Sequence, residues 1–86
     1  MPKISQFFGV SIYMYFDDHP PPHFHARYGE AEAVIRIDDG SVMRGELPPR
    51  VLGLVVEWSS RRRQELRLVW RQASRKQSLS RVTPLE

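Results

Sequence analysis

The 86-residue chain contains no cysteine, which excludes disulfide bonds, thiolate metal ligands and a cysteine nucleophile. No apolar run approaches the ~20 residues that a membrane-spanning helix needs. The opening Met1-Pro2-Lys3-Ile4-Ser5 has no apolar h-region of the signal-peptide kind. No Gly-x-Ser-x-Gly nucleophile elbow, internal repeat or low-complexity segment is present. These absences lead to the expectation of a cytoplasmic protein without a membrane partner. The apolar fraction of 41% and charged fraction of 27% fit one globular domain spanning residues 1–86. So short a chain buries only roughly 60% of its unfolded surface, so pairing with itself or with a partner would add stability.

Charge is unevenly placed. Residues 1–49 carry four basic groups against seven acidic ones, and residues 50–86 carry nine basic groups against three acidic ones. A basic second half permits RNA or DNA contact, with Arg61-Arg62-Arg63 as the candidate phosphate-binding cluster. It equally permits an acidic-to-basic self-association, or simply a solvated helix face.

Hydrophobic periodicity predicts an α+β domain, with a small antiparallel sheet of three to four strands packed against one long C-terminal amphipathic helix. Residues 7–16 alternate apolar and polar side chains and read as a central strand. Residues 23–28 alternate again, with Phe24, Ala26 and Tyr28 on one side and His23, His25 and Arg27 on the other. Residues 31–38 form the next candidate strand, reached through a turn at Gly29-Glu30. Asp39-Gly40 favours a type I′ turn, leading into a short strand near residues 41–44. Together these make a strand-rich half over residues 1–46.

Two prolines, Pro48 and Pro49, suit a helix start. Val51, Leu54, Val55, Trp58, Leu66, Val69, Trp70 and Ala73 recur at spacings of three and four, giving one helix within residues 47–76. Arg62 interrupts that stripe, so a break near Ser59-Ser60 is the alternative. A continuous helix of ~26 residues would be ~39 Å long and would overrun a ~20 Å strand. Its distal half would then need a homodimer or partner protein as cover. Residues 77–86 read as an extended tail.

All three histidines, His19, His23 and His25, fall within seven residues beside three prolines and the pair Asp17-Asp18. His23 and His25, at i and i+2 on a strand, project from the same face. Three readings compete, and the two functional ones expect these imidazoles to meet solvent rather than the interior. His23 and His25, closed by His19 or Asp17, can form a histidine-rich site for a divalent metal such as Zn, or for Ni or non-haem Fe. Alternatively His23, His25, Arg27 and Tyr28 provide the acid–base and cationic groups of a metal-independent ribonuclease. Or the histidines simply bond carbonyls that the proline-bearing loop leaves unpaired. Glu32 on the neighbouring strand is placed to orient one of the imidazoles.

The segment Met14-Tyr15-Phe16-Asp17-Asp18-His19, then Pro22-His23-Phe24-His25-Ala26 with Tyr28-Gly29, resembles the bacterial family of unknown function numbered 4160. Gly45-Glu46-Leu47-Pro48, Glu57-Trp58 and Trp70 extend the likeness. The resemblance implies a compact α+β domain and a genetic neighbourhood typical of toxin–antitoxin modules. It further implies a toxin-like protein that binds or acts on RNA and pairs with a small antitoxin-type protein. The positions carried over are His19, His23, His25 and Tyr28. A non-enzymatic binding module and a small metal-dependent enzyme are the other functions the residues support.

Overall fold

A computed structural model describes residues 2–86. Five strands come first: β1 (Lys3–Phe7), β2 (Val10–Tyr13), β3 (His23–Tyr28), β4 (Ala31–Arg36) and β5 (Val42–Glu46). They form one antiparallel sheet in sequence order, so each strand pairs with the next and β3 lies at the centre. Two helices follow, α1 (Pro49–Arg61) and α2 (Arg63–Ser74).

The expected sheet of three to four strands with one long helix is therefore corrected in both parts. The segment read as a single strand over residues 7–16 is interrupted by a tight turn: only its stretch Val10–Tyr13 forms β2, and Phe7 ends a further strand, Lys3–Phe7, that the pattern did not assign. The turn is Phe8-Gly9, with φ of +47° and +81°. Glycine reaches that region freely, whereas an aromatic residue rarely does. In the Asp39-Gly40 turn only Gly40 has positive φ, so the expected type I′ geometry is not formed. Asp39 instead accepts hydrogen bonds from the amide and hydroxyl of Ser41.

The helix breaks at Arg62, whose φ of −115° and ψ of 21° leave the helical region. The physical reason is the one the stripe announced: an arginine stands where an apolar side chain would have to continue. Bending there returns Leu66, Val69 and Ala73 to the same core as Val51, Val55 and Trp58. The distal apolar stripe is thus covered within the chain, and the argument for a partner from an uncovered helix does not hold. Arg63 fixes the bend by donating from Nε to the Ile37 carbonyl (3.1 Å), and Arg67 pairs with Asp38 (3.2 Å).

The core lies between one sheet face and the helices. Trp58, fully buried, packs against Phe7 and Phe24 with ring centroids 5.1 and 5.5 Å apart. Its indole N–H donates to the Thr83 carbonyl (2.8 Å). Residues 77–86 form neither helix nor strand, and the Val82 amide donates to the Ile4 carbonyl (2.7 Å) along the outer edge of β1. The opposite edge, β5, is exposed throughout. Among the described residues, no helix is long and apolar enough to cross a membrane.

Candidate metal centre

Strand alternation sends Phe24 and Ala26 into the core and turns His23 and His25 to the other sheet face. In register, His25 lies between Tyr13 on β2 and Val34 on β4, while His23 faces Arg36. That face would be open but for the connection from β2 to β3. Asp17 adopts φ of +55°, a conformation that aspartate tolerates better than most residues. Its amide donates to the Ala73 carbonyl near the end of α2 (3.2 Å). The helix bend thus has a consequence at the site, because α2 anchors the loop that lays Asp18 over the histidines.

The two imidazoles lie on the same side of the strand, as the spacing predicts. They do not meet solvent, and that expectation is corrected: His23 is 7% exposed and His25 8%. The covering groups are aromatic. Trp70 lies 5.2 Å from the His23 ring, and Tyr15 stands edge-on to His25 at 4.4 Å.

Each ring has its Nδ1 committed. The Pro21 carbonyl can only accept, so His23 donates to it from Nδ1 (2.7 Å). His25 donates from Nδ1 to Glu32 Oε2 (3.2 Å). Glu32 pairs in register with Arg27 and reaches His25 diagonally across the strands. The structure thus places Glu32 against an imidazole, as the sequence reading anticipates. With both Nδ1 atoms so held, both Nε2 atoms turn toward Asp18. His23 Nε2 lies 2.9 Å and His25 Nε2 3.7 Å from the same Asp18 oxygen. The His25 Nε2 atom is buried and has no hydrogen-bond partner among the described residues.

Asp18, His23 and His25 each offer one ligand atom, all within 4.8 Å of one another. Two neutral imidazoles and a carboxylate suit Zn²⁺ and other first-row divalent ions. With metal–ligand bonds of ~2.0–2.1 Å, ligand atoms of a tetrahedral centre stand about 3.4 Å apart. The observed 2.9 and 3.7 Å bracket that spacing. The supporting contacts also fit, since metal-bound histidine usually donates its other ring N–H to a carbonyl or carboxylate. The 2.9 Å contact between His23 Nε2 and Asp18 Oδ2 is a hydrogen bond whose proton a bound cation would displace.

Burial is the largest single influence on the Asp18 carboxyl and pushes its pKa up. The His19 amide and the His23 hydrogen bond, with the nearby imidazole charge, outweigh it, so Asp18 sits below the ordinary carboxylate value. A carboxylate depressed in the folded state stabilises the fold above its unfolded pKa, and that contribution is lost as pH falls through the folded value. The loop over the histidines is therefore expected to loosen only in strong acid, below about pH 4. Near-ultraviolet circular dichroism of Trp70 and Tyr15 checks this, since Asp18→Asn should abolish the acid transition.

Not every expected site residue joins the cluster. Asp18 takes the place assigned to His19 or Asp17. His19 donates its backbone amide to Asp18 Oδ1 (2.8 Å), and its side chain lines the adjoining cleft. Asp17 is exposed and 3.9 Å from Lys76. Arg27 is exposed two residues beyond His25. Tyr28 is on the opposite face, in a groove with Phe8, Pro48 and Arg50, so it takes no part in chemistry at the histidines. Arg61 pairs with Glu57 and Arg62 with Glu65, while Arg63 holds Ile37. Arg61 and Arg63 stand on the helices and Arg62 at the break between them, all outside the cluster. Trp70 and Tyr15, given no role at the histidines from sequence, are the rings that close it.

Together these features describe a small α+β domain, a five-stranded antiparallel meander backed by two helices, with a two-histidine, one-carboxylate cluster under its β2–β3 loop. The chain belongs to the family described as Domain of unknown function (DUF4160), matched over residues 9–71. That span contains every residue of the cluster. No curated protein matches the chain, and no solved structure does.

Proposed function

We propose that this domain is a small metal-dependent enzyme of hydrolytic type, with Asp18, His23 and His25 holding one divalent cation, Zn²⁺ being the best fit. The observation that carries the reading is the buried His25 Nε2, unpartnered and turned toward the Asp18 carboxylate. An unsatisfied buried polar atom costs about 1–3 kcal/mol, and a cation at this point removes that cost. Held by Asp18, His23 and His25, a zinc ion would supply Lewis-acid chemistry, activating water and polarising a carbonyl or phosphoryl group. Glu32 and the Pro21 carbonyl orient the rings. Trp70 and Tyr15 limit water at the ligand atoms.

Glu32→Gln tests the orienting role. The amide loses the charge that favours Nδ1–H and raises imidazole basicity, so zinc affinity should fall about 10- to 100-fold, the usual cost of losing such a contact. Isothermal titration with Zn²⁺ reads this directly. Unchanged affinity would show that Glu32 does not support a ligand.

A second reading, the toxin-like RNA-directed role implied by the resemblance, is favoured by a cleft of about 500 Å³ lined by Arg61, Arg62, Arg63 and Arg67 at the helix bend. Induced expression of the wild type beside His23→Ala/His25→Ala checks it. Growth arrest by the wild type alone is the expected result, and equal growth of both would leave the role without support.

A further inference from the structure

A cleft of about 310 Å³ opens beside the cluster, lined by Asp18, His19, Pro20, His23, Val34, Met43 and Arg44. It shares Asp18 and His23 with the cluster, so a molecule seated in it lies against those two ligand side chains. Across the sheet, Tyr13, His25, Val34 and Arg44 stand in register on one face. Two strand spacings of ~4.8 Å separate Arg44 from His25, about 10 Å between backbones. An extended arginine side chain covers much of that span.

Arg44 forms no ion pair among the described residues, whereas Arg61, Arg62 and Arg67 each do. On this exposed edge strand the register slips by one residue between Val42 and Arg44, and Gly45, next along, has φ of +79°. A Cβ at residue 45 would run into the Glu32 carbonyl. An exposed guanidinium that lines the same cleft as Asp18 and His23 offers a site for an oxyanion, because its planar fork matches two oxygens at once.

We propose that this cleft is a subsite for a small phosphate ester, with its phosphoryl oxygens on Arg44 and its organic part against Met43 and Val34. The inference rests on the metal reading and names the substrate class of that site. Phosphate is favoured over carboxylate by oxygen count. A carboxylate spends both oxygens on the arginine fork, whereas a phosphoryl group keeps one for the cation held by Asp18, His23 and His25. His19, on the same cleft wall, is placed to donate to the ester oxygen. The cavity lies at the low end of the range for small-molecule sites, ~300–1,000 Å³, which limits the ligand to a compact ester.

The test uses the full chain loaded with one equivalent of zinc, freed of excess metal and titrated with inorganic phosphate, and in parallel with acetate. Phosphate should bind at least tenfold more tightly than acetate. Arg44→Gln should weaken phosphate at least tenfold while leaving zinc affinity within twofold. Arg44→Gln binding phosphate like the wild type, or acetate matching phosphate, would overturn the subsite. A metal-free arm separates the two claims. If the wild type takes up no zinc, the metal reading fails on its own account. The subsite is then judged by whether phosphate shifts the backbone amide signals of His19 and Arg44 in the wild type but not in Arg44→Gln, and absence of that shift overturns it.

Discussion

The His23→Ala/His25→Ala variant is expected to lose zinc binding by at least ~10³-fold, and with it the stabilisation that zinc gives the wild type. Two of the three ligand atoms vanish, and a lone carboxylate does not hold a first-row ion at micromolar concentration. For the wild type, zinc at 100 times its dissociation constant adds about 2.7 kcal/mol to the folded state. In a domain of 60–100 residues, 1 kcal/mol moves the melting temperature by about 4–8 °C. Zinc should therefore raise the wild-type melting temperature by about 10–20 °C and leave the double variant unmoved. The metal-free comparison separates function from bracing. If the rings serve chiefly to staple the loop through Pro21 and Glu32, the metal-free variant melts far below the metal-free wild type. If they serve chiefly as ligands, removing the orphaned His25 Nε2 offsets part of that loss. Scanning calorimetry of both proteins, with and without zinc, measures the two contributions in one experiment.

The largest loss of stability is expected at Trp58. Its ring is fully buried between Phe7 of β1 and Phe24 of β3, and its N–H holds the tail at Thr83. Truncating a buried aromatic residue to alanine costs about 3–5 kcal/mol. The whole stability of a domain this size, at ~0.05–0.15 kcal/mol per residue, is of the order of 4–13 kcal/mol. Trp58→Ala should thus be partly or wholly unfolded at 37 °C by circular dichroism. Trp58→Phe keeps most of the packing and loses the bond to Thr83, a loss of about 1–3 kcal/mol. If the alanine and phenylalanine variants were equally stable, Trp58 would not be the centre of the core.

Much of this arrangement was legible in local pattern. The two-residue period of β3 assigns His23 and His25 to one face and Phe24 and Ala26 to the other, and that assignment needs no tertiary information. Pro48-Pro49 opens the helical half, and the apolar stripe identifies Trp58 as core. What was hidden depends on contacts between distant segments. β1 was missed and β2 overextended because Phe8 carries no turn propensity, and Gly9 was the only local sign of the hairpin. The bend at Arg62 was signalled by a charge in the apolar stripe. Its position was settled by the packing of Leu66 and Val69 and by the reach of Arg63 to Ile37. At the site, Asp17 and Asp18 are chemically identical in sequence. The amide bond from Asp17 to Ala73, 56 positions away along the chain, turns the second carboxylate onto the histidines and the first toward Lys76. The burial of the imidazoles was hidden for the same reason, since it is set by how a proline-rich loop lies over the sheet.

The central claim is that Asp18, His23 and His25 hold one divalent cation. Chain prepared without a histidine tag, loaded with zinc near neutral pH and dialysed free of excess metal, tests it by elemental analysis. One zinc per chain that is lost in His23→Ala/His25→Ala is the predicted result. A wild-type chain that emerges from dialysis with no stoichiometric zinc, nickel or iron when loaded with each would contradict the account.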